Sequence, residues 1–102
     1  MYYTYILKSK KQPGAIYIGS CSDLNRRLLQ HNDRDNVGYT KRHGPWEIET
    51  FLAFNSLNEA ESFEKYLKSS SGKAFMHKRL LSQRFNLELK RFNNGRKLSV
   101  TK

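Results

Sequence analysis

The segment from Ile16 to His31 (IYIGSCSDLNRRLLQH) sets a tyrosine, an arginine and a histidine where they could act on one substrate. Tyr17 stands two residues before Gly19 in a run that reads as a strand, and a helix-forming run follows at once. Arg27 and His31 are four apart, so a helix places them on one face about one turn apart, beside the apolar face marked by Leu24 and Leu28. An arginine there can hold phosphate oxygens through a planar fork, a job for which lysine is a poor substitute. A tyrosine, with an ordinary pKa of about 10, is an efficient general base only where a neighbour draws off its proton. The histidine is a proton relay or a phosphate ligand; both roles suit its position. Further along, Glu59, Glu61 and Glu64 supply carboxylates, and a carboxylate can hold a hard divalent cation with open positions. Phosphodiester hydrolysis needs these parts: an activated water, neutralisation of growing negative charge, and a stabilised leaving oxygen.

Several elements must position them. Residues 2–8 (YYTYILK) are aromatic and β-branched and read as a strand, Lys10 to Gly14 as a turn, and Ala15 to Gly19 as a second strand. Alternation puts Tyr3, Tyr5 and Leu7 on one face of this hairpin, and Tyr17 with Gly19 on one face of its second strand. Ser22-Asp23 supplies an N-cap for a helix from about Asp23 to about Asn32, with Leu24, Leu28 and Leu29 as its apolar stripe. Asp33 to Gly44 reads as a polar loop and Trp46 to Phe54 as a third strand. Ser56-Leu57-Asn58-Glu59 fits a capping box. The helix it opens has Ala60, Phe63, Tyr66 and Leu67 on its apolar face and should stop near Ser69 to Gly72. Another helix is expected from about Lys73, with Phe75, Met76 and Leu80 at helical spacing. The tail holds Asn93-Asn94-Gly95, a hairpin turn signal, and is expected either as a short hairpin of Phe85–Leu89 against Lys97–Val100 or as a mobile arm. The expected architecture is an α/β fold of the α+β type, a small three-stranded antiparallel sheet flanked by helices in the order ββαβαα. It occupies residues 1–82, with a basic C-terminal extension over 83–102.

Charge narrows the partners. Nineteen Lys and Arg against nine Asp and Glu leave a formal net charge of +10 on 102 residues. Such a field steers polyanions to the surface, and nucleic acid is the commonest of them. Arg26, Lys41, Arg42, Lys73, Lys78 and Arg79 are the expected phosphate contacts, with DNA expected over RNA. No apolar run approaches the ~20 residues of a membrane span, so no membrane association is expected. The N-terminal run MYYTYILK has neither a basic region before an apolar stretch nor a small-residue cleavage site, so the expected location is cytoplasmic. Cys21, the single cysteine, excludes an internal disulfide and a cysteine zinc cluster.

The order and spacing of these residues resemble the GIY-YIG nuclease family, in its small single-domain bacterial branch, over about residues 2–81. Tyr17-Ile18-Gly19 is the second half of the family's signature, and Tyr3-Thr4-Tyr5 stands in the place of its first half with only the tyrosine kept. Arg27, ten positions after Tyr17, falls where the family's arginine does, and the segment Asn58 to Lys68 resembles the helix carrying its metal-binding glutamate, which places that role on Glu64. The resemblance implies a catalytic set of Tyr5, Tyr17, Arg27, His31 and Glu64, and one divalent ion, Mg²⁺ or Mn²⁺, at Glu64. Two departures shift the chemistry. Ser20 occupies a position where some members have a lysine implicated in proton transfer, and His31 replaces a tyrosine. Weight therefore moves onto Tyr17 with His31 as the base.

Each residue also has a plainer reading: Tyr17 as a packed strand aromatic, Glu64 as a solvated helix residue, His31 as a helix-end histidine favoured by the dipole. Glu59 reads best as a cap, and His43, His77 and Cys21 as structural. Three functions compete accordingly. One is a DNA endonuclease that is structure-directed or weakly specific, in repair or recombination. Another is a non-catalytic basic nucleic-acid-binding protein on the same fold. The last is a module active only beside a partner protein; cutting both strands with one site would itself need a homodimer or two events.

Overall fold

The computed structural model describes residues 1–33, 39–87 and 99–101. Strands β1 (Tyr2–Ser9) and β2 (Ala15–Cys21) form the expected antiparallel hairpin, with Tyr5 opposite Gly19 and Leu7 opposite Tyr17. Its turn is fastened by Ser9, whose Oγ accepts from the amides of Lys11 and Gln12 at 3.1 and 2.8 Å. Gly14 takes a φ of 87°, a conformation that glycine adopts without strain. Strand β3 (Trp46–Phe54) pairs antiparallel with β1 on its other side, which completes the expected three-stranded antiparallel sheet. A short fourth strand, β4 (Ser99–Thr101), pairs parallel with Ala15, Ile16 and Tyr17, so the sheet order is β3-β1-β2-β4.

The helices are α1 (Leu24–His31), α2 (Tyr39–His43), α3 (Leu57–Leu67) and α4 (Ser70–Phe75), the last running into a π-helical turn over Met76–Leu80. Asp23 caps α1 by accepting from the Arg26 amide, and Ser56 caps α3 by accepting from the Glu59 amide, both as the capping residues require. Alternation divides the core between the two faces of the sheet. One face gathers Tyr5, Leu7, Ala15, Cys21 and Trp46, with Tyr3, Tyr17, Leu24 and Leu28 packed against them. The other gathers Ile6, Ile16, Ile18, Leu67, Met76, Leu81 and Phe85, so α3 and the π-helical turn lie on the face opposite α1.

The structure adds to the sequence expectation, or departs from it, in five places. The three antiparallel strands are joined by a fourth, parallel to β2. Part of the expected loop, Tyr39–His43, is a helix; the Trp46 indole donates to the Thr40 carbonyl at 2.6 Å, tying this turn to the core. Leu29 is 72% exposed, because the width of the α1 stripe accommodates Leu24 and Leu28 and turns Leu29 outward. Helix α3 ends at Leu67, close to the expected stop, but the next helix begins at Ser70 rather than near Lys73, with Ser69 capping α4 by accepting from the Gly72 amide. Gly72 packs so closely on the end of α3 that a Cβ there would stand 2.8 Å from Leu67 Cα. Finally, residues 83–87 are helical rather than a hairpin strand. Ser82 Oγ accepts from the Phe85 amide at 3.0 Å, and Phe85 is 4% exposed within the core. Packing therefore continues across the expected boundary at residue 82, while the Asn93-Asn94-Gly95 turn lies outside the described residues.

Candidate active site

Tyr5 and Tyr17 come from adjacent strands and point to the same face, their rings stacked with centroids 6.3 Å apart. His31, at the C-terminal end of α1, closes the group: its ring lies 4.6 Å from that of Tyr17 and 5.9 Å from that of Tyr5. The Tyr5 hydroxyl is 2.9 Å from His31 Nε2. Gly19 makes this possible. A Cβ at that position would stand 2.6 Å from Tyr5 Cζ and 3.1 Å from Tyr17 Cε1, so the glycine of the Tyr-Ile-Gly run is the floor on which the Tyr5 ring lies. The end of α1 is pinned as well. Asn32 accepts from the Trp46 amide at 2.7 Å and donates to the Trp46 carbonyl at 3.1 Å, a two-point clamp between the helix and β3.

Electrostatics within the group are set by burial. His31 is 8% exposed, and burial together with the Arg27 charge lowers its pKa to about 4, so the imidazole is neutral at pH 7. The Tyr5 hydroxyl and His31 Nε2 share a hydrogen bond whose direction follows the imidazole tautomer, and burial raises the Tyr5 pKa far above its usual value, so the phenol keeps its proton at pH 7. Tyr17 is also raised, first by burial and then by the negative charge of Glu64, while Arg27 pulls the other way. The Arg27 guanidinium thus acts on Tyr5, Tyr17 and His31 together. It is half-buried; Arg26, beside it, is exposed.

Glu64 approaches from the opposite face of the sheet. Its Oε1 accepts from Ser20 Oγ at 2.6 Å, and its Oε2 accepts from Lys68 Nζ at 2.6 Å. Helix α3 is held in place by Thr4 Oγ1, which donates to the Ala60 carbonyl at 2.6 Å, with the Ser20 hydroxyl a second, longer donor at 3.3 Å. Ala60 and Leu67 are fully buried beneath the helix, one on each side of the turn that carries Glu64.

Of the residues singled out from sequence, the structure gathers Tyr5, Tyr17, Arg27 and His31, and brings Glu64 within electrostatic reach of Tyr17. His31 Nε2 lies at hydrogen-bond distance from the Tyr5 hydroxyl, and its ring also packs against that of Tyr17. The basic candidates are spread over separate elements. Arg42 is exposed on α2, Lys73 is half-buried on α4, and Lys78 and Arg79 are exposed on the π-helical turn; the Lys41 side chain lies outside the described residues. Two participants are not marked out by the sequence pattern. Ser20 is a hydrogen-bond donor to Glu64 where a lysine is the point of comparison. Lys68 follows Glu64 by four, in the Glu-before-Lys order that favours pairing along a helix. That spacing is the signal by which the pair could be found.

The GIY-YIG catalytic domain, as a family model, matches residues 1–79. A UPF0213 protein of Clostridium perfringens is 37% identical over 68 residues, covering 67% of this chain and 71% of its own. A UPF0213 protein of Halalkalibacterium halodurans is 32% identical over 100 residues, covering 98% of each chain. Its solution structure covers 99% of this chain at a TM-score of 0.42. The structure-specific endonuclease subunit SLX1 of Kluyveromyces lactis is 42% identical over 69 residues, or 62% of this chain; the match spans 24% of that longer protein.

Proposed function

Since this chain belongs to the GIY-YIG family, we propose that it is a divalent-metal-dependent endonuclease that hydrolyses phosphodiester bonds in DNA, directed by structure rather than by sequence. The observation that carries the reading is the convergence on β2 of an aromatic–imidazole–guanidinium group from one face and a single anchored carboxylate from the other.

The donor set fits a hard divalent ion such as Mg²⁺ or Mn²⁺. Among the described residues no cluster of three or more His, Cys, Asp and Glu forms a metal cage. Mg²⁺ is commonly held by one or two carboxylates and completed by water and phosphate oxygens, and Glu64 is such a carboxylate. When bound, the ion supplies neutralisation of charge on the phosphate and on the leaving oxygen.

The remaining steps belong to the chain. Arg27 holds non-bridging phosphate oxygens through its fork and stabilises the charge that grows on them. Tyr17 takes the proton of the attacking water. Its proton affinity is raised by burial and by Glu64, so a Glu64 whose charge is neutralised leaves Arg27 to act against burial alone, and the phenolate becomes more accessible. Tyr17 acts as base only once its own phenolic proton has left, and the neutral His31 ring, 4.6 Å from that of Tyr17, takes that proton when its unprotonated nitrogen is released from the Tyr5 hydroxyl. Substrate charge is met by Arg26, Arg42, Lys73, Lys78 and Arg79, and the overall +10 favours rapid encounter with any DNA. Junction or flap recognition is supported by the relative described as a structure-specific endonuclease subunit, with which the match spans 24% of that protein.

The test is cleavage of flapped, branched and linear DNA with Mg²⁺ or Mn²⁺ by the wild-type protein and by Glu64→Ala, Arg27→Ala and Tyr17→Phe. Cleavage of flapped or branched DNA that disappears in Glu64→Ala and Arg27→Ala is expected. Binding of DNA without cleavage under any metal would assign the protein to the non-catalytic alternative.

A further inference from the structure

Each carboxylate oxygen of Glu64 already has a partner among its own neighbours. Oε1 takes the Ser20 hydroxyl and Oε2 takes the Lys68 ammonium, each at 2.6 Å, and the Lys68 and Glu64 side chains are 24% and 17% exposed. The two partners differ in how they would meet a divalent ion. A hydroxyl is a neutral dipole, and a carboxylate oxygen that accepts from it keeps a further lone pair. An ammonium carries a full charge of the same sign as the ion, and at hydrogen-bond distance from Oε2 it occupies the approach to that oxygen.

We infer that Lys68 is an internal counter-ion of the metal site: its ammonium and the divalent ion compete for Glu64 Oε2, and Lys68 thereby sets the metal affinity of the protein. The inference rests on the reading of Glu64 as the metal carboxylate. The pairing also has a reason in the free protein. Glu64 is half-buried beside a phenol, and a carboxylate removed from much of its water needs a charged or hydrogen-bonded partner. Lys68 supplies that partner from one helical turn away, and Ser20 holds the carboxylate in place while the cation is exchanged.

Mn²⁺ binding measures this without any turnover, through the loss of the free-ion electron paramagnetic resonance signal on titration. The proteins compared are the wild type, Lys68→Met, Lys68→Arg, Lys65→Met and Glu64→Gln, each checked for fold by circular dichroism. Lys65 is exposed on the same helix, about 100° around it from Glu64. Lys68→Met should bind Mn²⁺ about three- to tenfold more tightly than the wild type, as loss of a partly buried competitor requires. Lys68→Arg should stay near the wild type, and Lys65→Met should change little. An unchanged or weaker affinity in Lys68→Met overturns the inference, as does an equal gain in Lys65→Met, which would mean general charge rather than competition. Glu64→Gln separates the two readings. If it binds Mn²⁺ as the wild type does, the metal-carboxylate reading fails and the inference with it. If it loses binding while Lys68→Met is unchanged, only the inference fails.

Discussion

The Tyr5 hydroxyl lies 2.9 Å from His31 Nε2, so the middle of β1 is joined to the last residue of α1 through a buried neutral hydrogen bond. The low pKa of this histidine is a property of the folded chain alone.

Stability should therefore depend on pH through His31. The unfolded chain binds a proton at an ordinary histidine pKa of about 6.5, whereas the folded chain binds it only near pH 4. The contribution is fully present above about pH 6.5 and falls as pH drops through that window toward 4, because the unfolded state takes up the proton first. The loss attributable to His31 should reach about 3 kcal/mol at most by pH 4. Urea unfolding at pH 7, 5.5 and 4.5 should show this decline, and His31→Asn should flatten it. A decline identical in both proteins would mean that other groups are responsible.

Gly19→Ala should damage both the fold and the site. Its methyl group would sit 2.6 Å from Tyr5 Cζ, and both the ring and its link to His31 are buried, so the ring cannot swing into solvent. Overpacking of this kind costs about 1–3 kcal/mol. Chemical unfolding should show that loss, and DNA cleavage should fall at temperatures where the protein remains folded.

Ser20→Ala tests the other side of the site. Removing the donor to Glu64 Oε1 leaves Thr4 still bonded to the Ala60 carbonyl, so α3 should stay in place and the melting temperature should change little. Metal affinity or cleavage should drop about 10- to 100-fold, the usual effect of losing a group that orients a metal ligand. A large fall in melting temperature with unaltered cleavage per folded molecule would make Ser20 purely structural.

Phe85→Ala should destabilise the protein by about 3–5 kcal/mol, since its ring is 4% exposed among Ile6, Ile16, Ile18 and Met76. Truncation after residue 82 should do at least as much harm. A truncated chain of unaltered stability would support the boundary at residue 82 that the sequence suggests.

The local elements are legible because their signals are local. Alternation in YYTYILK, the serine and aspartate caps, and the uninterrupted Trp46–Phe54 run mark β1, α1, β3 and α3 to within about two residues, and the resemblance of Tyr17, Gly19, Arg27 and Glu64 to one family leads to the fold that the structure has. The segments that mislead are those whose conformation is chosen by distant partners. Ser69 to Gly72 do mark the end of α3, but they also open α4 about three residues before the expected start at Lys73, because Ser69 caps it and Gly72 packs against the end of α3. Phe85 reads as a strand residue, and Ser82 together with an apolar pocket makes it helical. The site divides the same way. The resemblance to one family names Tyr5, Tyr17, Arg27, His31 and Glu64, and spacing adds that Arg27 and His31, a four-residue step apart on a helix, share a face. Only tertiary structure decides that His31 bonds Tyr5, that burial makes it neutral, and that Ser20 and Lys68 hold Glu64 between them. Burial and cross-element hydrogen bonds depend on the packing of α1 and α3 on opposite faces of one sheet, and no local pattern encodes that packing.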